Sequence, residues 1–174
     1  MSVIDTVLSA LGQEQTQQLS RSVGAEPAQV QNAIQVALPL LLSGFARRAA
    51  QPGGADELMS AIERHGGGAI QEAKDHGPID VQEGQRLLEQ VFGARTQAAG
   101  NVVARAAGTS PQAAHALLTT LAPILLDALG RERRQQNFDA NSLAALLRQE
   151  LSGAAQKLPF AANLPLEDLD KLLG

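Results

Sequence analysis

The residue types that perform most acid–base and metal chemistry are scarce in this chain. Of its 174 residues, three are histidine (His65, His76 and His115) and none is cysteine. A metal site needs several converging ligands, often spaced one helical turn apart, and no His-x-x-x-His or His-x-x-Glu spacing occurs. His65 falls at a predicted helix end, where the dipole favours it, His76 in a loop, and His115 on the polar side of a helix. We therefore predict no metal site.

Two further patterns resemble catalytic motifs but lack the residues that would complete them. The stretch "HGGG" at 65–68 resembles the oxyanion loop of esterases, yet the chain has no Gly-x-Ser-x-Gly nucleophile elbow. No Lys-Ser or Lys-Thr follows these glycines, as a phosphate-binding loop would require. Asp56 and Glu57 are adjacent, so on a helix they point in different directions, and a first-turn position explains them. Glu167, Asp168 and Asp170 are interpreted in the same way, and the sequence predicts neither an enzyme nor a cofactor.

Basic residues cluster at two places, Arg47–Arg48 and Arg131–Arg134, where contact with phosphate is conceivable. Against a nucleic-acid partner stand the net charge of −4 and an aromatic content of 2%, which leaves no set of rings for base stacking. A helix-turn-helix at "SVGAEP" is disfavoured because the helix after the turn is too apolar to read a groove. Nucleic-acid binding is therefore the weakest of the binding hypotheses.

The composition is that of a soluble helical protein. Apolar residues make up 44% of the chain but include no Trp or Tyr, so Leu, Ala, Val and Ile must form the core. The longest purely apolar run, "VALPLLL", is far shorter than the ~20 residues of a membrane span, and the N-terminus lacks the pattern of a signal peptide. The absence of cysteine fits the cytoplasm, where we expect the protein to reside.

Apolar residues recur at helical spacing along the chain, and no period-two alternation stands out. Gly24 and Gly108 suit helix C-termini, Pro27 and Pro111 suit first helical turns, and Asp80–Glu83 forms a capping-box pattern. Glycines 66–68 and "KDHGP" mark a connection between two halves of the chain. The predicted helices cover about 3–11, 14–23, 27–49, 55–65, 80–92, 95–107, 111–134, 140–156 and 165–173.

Both long predicted helices carry a proline in their most apolar stretch, Pro39 in "LPLLLSG" and Pro123 in "APILLDALG". A proline inside a helix removes one hydrogen bond and costs about 3 kcal/mol or more. Burial of one leucine contributes roughly 1.5–3 kcal/mol, so a central, fully buried position can offset that cost. We favour a continuous, bent helix over a helix that ends before the proline and restarts after it.

The two prolines belong to a repeated pattern with an offset of 84 positions. The apolar stripe at Val30, Ile34, Ala37, Leu38, Leu41 and Phe45 reappears as Ala114, Leu118, Leu121, Ala122, Leu125 and Leu129. We therefore predict an all-α fold for 1–174 as one compact domain, internally duplicated into two related four-helix units, about 3–65 and 80–156. The units pack through their long proline-kinked helices, and a short C-terminal helix follows at 165–173.

These residues resemble a bacterial family of domains of unknown function, number nine-three-seven, which is related to the YidB-like proteins. The resemblance rests on "VGAEPAQVQNAIQVALPLLLSGFARRAAQPGGADELMSAI" (23–62), on Phe92–Gly93 and on "AGTSPQAAHALLTTLAPILLDALGR" (107–131). It implies an all-α bacterial protein. The family has no established activity, so the resemblance implies no catalytic, cofactor-binding or metal-binding residue.

Three functions remain open at this point. The first is a non-enzymatic helical interaction or scaffold protein that self-associates or binds a protein partner, because surplus apolar helix faces suit interfaces. The second is a carrier or sensor of an apolar small molecule held between helices. An enzyme is the third and weakest. The Leu stripe at Leu166, Leu169 and Leu173 is the segment most suited to docking on a neighbouring surface.

Overall fold

The computed structural model describes residues 2–65, 68, 70–71 and 81–157, and these form only helices and turns. The predicted all-α class is confirmed, and the eight helices bounded below each begin and end within two residues of their predicted bounds. Gly68, Ile70 and Gln71 are also helical, and they lie outside every predicted helix. The predicted helix at 165–173 and Asp80 of the predicted capping box lie outside the described residues. The helices are α1 (Val3–Ala10), α2 (Gln13–Val23), α3 (Pro27–Ala50), α4 (Gly54–His65), α5 (Val81–Phe92), α6 (Thr96–Ala107), α7 (Pro111–Gln136) and α8 (Ala140–Lys157), with a 3₁₀ turn at Gly93–Arg95 between α5 and α6.

Both internal prolines lie within uninterrupted helices. Pro39 stands near the middle of α3 and Pro123 near the middle of α7. The prediction that each helix continues through its proline is therefore confirmed. Each of these prolines is buried, and so is every residue of 36–46 and 121–130 around them.

The carbonyl group that Pro123 leaves without a helical partner is met by a neighbouring helix. Pro123 has no N–H to donate to the carbonyl of Thr119 four residues earlier. Gly84 of α5 lies directly over this carbonyl, since a Cβ built on Gly84 would stand 1.9 Å from the Thr119 oxygen. The hydrogen in place of that Cβ therefore faces the oxygen, in the geometry of a Cα–H···O contact between helices. The proline in α7 and the glycine in α5 form one packing arrangement.

The two long helices are the centre of the molecule. α3 contacts α2, α4, α5, α6, α7 and α8, while α7 contacts every helix from α1 to α6. Helices of the two halves interlock: α1 packs against α7, and α8 packs against α3. The two predicted stripes fill the interior, since none of their twelve side chains is more than 4% exposed.

α7 is also the one described helix that is long and apolar enough, by length and composition, to cross a membrane. In its most apolar 18-residue window, however, 83% of the residues are buried inside the fold. The core helix of a helical bundle has the same composition, because neighbouring helices cover it on all sides. Packing within the protein accounts for the hydropathy of α7.

Two similar corners lead into the long helices. Gly24 and Gly108 both adopt the left-handed conformation, with φ of 73° at each, and both are followed by a helix whose first residue is proline. The side-chain amide of Gln29 donates a hydrogen bond of 2.8 Å to the carbonyl of Gly108, joining the start of α3 to the end of α6. This bond holds the two corners side by side.

Candidate functional site

The residues that the sequence offered for acid–base chemistry do not converge in the described structure. Asp56 and Glu57 are exposed in the first turn of α4. His115 is half-buried on α7, beside Gly100 of α6. His65 ends α4 and its side chain lies outside the description, as do His76 and most of the glycine-rich connection. Among the described residues, no group of three or more His, Asp or Glu side chains could hold a metal ion.

The first basic cluster is tied to the following helix. Arg48, in the last turn of α3, forms an ion pair with Glu57 of α4 and donates a second hydrogen bond of 2.9 Å to the side-chain oxygen of Gln51. The hydrogen bond and the charge of Arg48 hold the pKa of the Glu57 carboxyl below its ordinary value of 4.5. Glu57 therefore acts as the counter-ion of an arginine in addition to favouring the helix dipole.

This pair predicts a loss of stability in acid. The pKa of Glu57 is lower in the folded protein than in the unfolded chain, so the unfolded state takes up a proton first as the pH falls. The contribution of the pair is complete above pH 4.5 and disappears as the pH falls through the lower, folded value. Chemical denaturation between pH 7 and pH 3 should show a smaller acid-induced loss in Glu57→Gln than in the wild type. Equal pH profiles for the two proteins would contradict this assignment.

The second basic cluster is divided between paired and unpaired arginines. Arg133, in the last turn of α7, forms an ion pair with Glu63 near the end of α4. Arg131 points its Nε toward Asp127, at 4.0 Å from Oδ2. Arg134 is exposed, and no described residue forms a hydrogen bond or ion pair with its guanidinium. Acidic partners thus neutralise part of the positive charge of this cluster, which the sequence analysis considered for contact with phosphate.

Asp127 is a buried carboxylate that sequence analysis did not single out. Its side chain is 1% exposed, and its Oδ2 accepts a hydrogen bond of 2.9 Å from the backbone N–H of Ile70. Its Oδ1 and the Nε of Arg131 are both buried without a hydrogen-bond partner among the described residues. Asp127 interrupts an otherwise apolar run, 121–129, and a lone carboxylate in such a run is the signal that predicts a buried polar contact. Its contact joins α7 to the chain that follows α4.

Loss of the Asp127 acceptor should destabilise the fold. In Asp127→Ala the N–H of Ile70, a residue only 1% exposed, loses the acceptor that the described residues provide for it, and an unsatisfied buried donor costs about 1–3 kcal/mol. Asp127→Asn retains a side-chain oxygen and should lose less. Urea denaturation followed by circular dichroism measures both. If alanine proves no more harmful than asparagine, the hydrogen bond to Ile70 does not contribute as described.

A cavity opens between the C-terminal ends of α4 and α7. Its volume is about 300 Å³, which is at the lower end of the range for small-molecule sites. The lining residues combine two arginines with one carboxylate, one amide, one apolar side chain and a glycine: Arg133, Arg134, Glu63, Asn137, Ile62 and Gly130. Sequence analysis identified the arginines but not the acidic residue or the glycine, because these come together only when α4 packs against α7.

Comparison with known proteins identifies the family of the chain. No curated protein and no solved structure matched it. A family model described as a bacterial protein of unknown function (DUF937) matches residues 5–132, which include α1 from Asp5 onward, α2 to α6 and all but the last turn of α7. The earlier resemblance to this family is confirmed over most of the chain. The protein therefore belongs to the DUF937 family of bacterial proteins of unknown function.

Proposed function

We propose that this protein is a non-enzymatic helical interaction protein of the bacterial cytoplasm that self-associates. The observation that carries the proposal is that the described helices bury almost all of their large apolar side chains within the fold. Among the large hydrophobic side chains described, Val81 alone is exposed, at 57%. We therefore assign apolar contact with another copy to residues other than those of the described helices.

The C-terminal sequence supplies such a segment. In "NLPLEDLDKLLG" the residues Leu166, Leu169 and Leu173 recur at helical spacing, and charged residues occupy all but one of the positions between them. A helix of about nine residues is too short to be stable alone in water, so it needs a surface on which to dock. We propose that this surface belongs to a second copy, which makes the contact two-fold in the simplest case.

The positions of the carboxylates support a function without a catalytic step. Glu57 is engaged by Arg48, and Glu63 by Arg133, at the surface of the bundle. Asp127 is a deeply buried carboxylate that accepts a hydrogen bond from a backbone N–H. Each of these groups contributes to holding helices together.

An internal duplication, proposed from the sequence, underlies this architecture. Its support is the repetition of backbone features at the offset of 84 positions: left-handed Gly24 and Gly108, first-turn Pro27 and Pro111, and mid-helix Pro39 and Pro123. A chain that already packs two related halves against each other has surfaces suited to pairing with a copy of itself. The two units about 3–65 and 80–156 remain the proposed repeats.

Analytical ultracentrifugation over a hundredfold concentration range tests the proposed self-association. We expect the average mass of the wild type to rise with concentration, whereas a variant carrying Leu166→Ser, Leu169→Ser and Leu173→Ser remains a monomer. The matched control, Glu167→Gln with Asp170→Asn, changes the polar side of the same segment and should associate at least as strongly as the wild type. A wild type that stays monomeric throughout, or a leucine variant that associates equally well, would contradict the proposal.

A further inference from the structure

The cavity between the ends of α4 and α7 has a floor made by a glycine that packing does not require. At Gly84 and Gly54 a Cβ would lie within 2 Å of a neighbouring carbonyl oxygen, so only glycine fits there. At Gly130 the nearest atom, Cγ2 of Ile62, would be 3.5 Å from a Cβ, which is ordinary van der Waals contact. The helix therefore retains at Gly130 a residue that weakens it relative to alanine, without a steric reason.

The open floor leaves room for an arginine that has no partner in the part of the chain that the structure describes. Arg134 follows Gly130 by one helical turn, and its Nη1 would be 3.7 Å from a Cβ at Gly130. Its guanidinium thus lies across the glycine, in the cavity, without a hydrogen bond or ion pair to residues 2–65, 68, 70–71 or 81–157. An arginine fork offers five N–H donors in fixed geometry, which suits an oxyanion.

Arg133 and Asn137 complete a set of donors around the same space. Arg133 is held by Glu63 through Nη1, so its guanidinium is oriented while other N–H groups of the fork stay available. Asn137 adopts a left-handed conformation at the end of α7, and it is also one of the residues that line the cavity. Two guanidinium groups and one amide make three separate donor groups, and a tetrahedral phosphoryl group has three oxygens to accept from them.

We propose that this cavity binds the phosphoryl group of a small molecule, through Arg134 as the principal ligand and with Arg133 and Asn137 as further donors. Arg134 supplies a guanidinium charge that no carboxylate of the described residues neutralises. Glu63 positions Arg133, but its own negative charge repels an anion bound beside it. The carbonyl ends of α4 and α7 oppose an anion as well. Binding should therefore be weak for phosphate alone and depend strongly on Arg134.

Titration of ¹⁵N-labelled protein with inorganic phosphate, at constant ionic strength, tests this site. We expect saturable amide shifts confined to Ile62–Glu63 and to 130–137 in the wild type. Arg134→Gln should weaken binding about tenfold or more, because it removes a charged hydrogen-bond donor. Gly130→Leu, which fills the floor, should abolish the shifts. The control Arg105→Gln removes an exposed arginine from α6, near the other end of α7, and should bind phosphate like the wild type.

Acetate in place of phosphate distinguishes a phosphoryl site from a general anion site. We expect acetate at the same concentration to produce much smaller shifts. The proposal is overturned if the wild type shows no saturable shift, if Arg134→Gln binds phosphate as well as Arg105→Gln does, or if acetate binds equally well. None of these measurements depends on whether the protein self-associates, so this site and the proposed function can fail separately.

Discussion

Replacement of Gly84 by alanine is expected to cost about 3 kcal/mol or more of the free energy of unfolding. The added Cβ would stand 1.9 Å from the carbonyl oxygen of Thr119 and 2.8 Å from its carbon. Both atoms belong to the backbone of a buried helix, so they cannot rotate away as a flexible side chain could. α5 must therefore move away from α7. This movement exposes Leu87 and Leu88, which are 1% and 0% exposed in the native fold.

A matched glycine-to-alanine change separates this clash from the intrinsic preference of helices for alanine. Gly153 lies in α8, and a Cβ there would meet no atom of the described residues within 4 Å. Gly153→Ala should therefore stabilise the protein by up to about 1 kcal/mol. Urea denaturation of both variants measures the difference in sign. A stable Gly84→Ala protein would show that α5 does not approach Thr119 as closely as described.

Truncation of Phe45 to alanine is expected to cost about 3–5 kcal/mol. Phe45 is among the largest fully buried side chains of the protein and is 1% exposed, in a core that contains no Trp or Tyr. It lies in α3, where neighbouring helices enclose it, so the surrounding chains cannot easily collapse into the space that truncation would leave.

The conservative change at the same position provides the control. Phe45→Leu introduces the residue that occupies position 129, the predicted equivalent in the second half of the chain. It retains most of the buried apolar surface and should cost clearly less than the alanine change. Thermal and urea unfolding, with circular dichroism of the native state, compare the two. Equal losses for leucine and alanine would mean that the site does not depend on side-chain volume.

The helices were predictable because local rules determine them. Helical spacing of apolar residues located α3 and α7, and first-turn Pro27 and Pro111 fixed where each begins. The continuity of both helices through their prolines followed from weighing a local cost against burial. These features depend on residues near one another in the sequence, so one chain contains enough information to predict them.

The contacts between helices were not predictable in the same way. Arg133 and Arg134 are adjacent and chemically identical, yet Glu63 engages the first and leaves the second free. About 100° of rotation around α7 separates the two side chains, and the position of α4 decides which one it meets. Gly84 was likewise visible only as a glycine inside a helix. The requirement for glycine at this position comes from Thr119, which lies on another helix at a position that the sequence does not specify.

Native mass spectrometry of gently purified protein at two concentrations is the most direct test of the proposed self-association. The account predicts a dimer or larger assembly whose share increases with concentration and whose mass equals that of the bare chains. A monomer carrying a bound apolar molecule of a few hundred daltons would contradict it and favour a carrier of such molecules. A bare monomer at both concentrations would also contradict it, because it would leave the leucine segment without a second copy to bind.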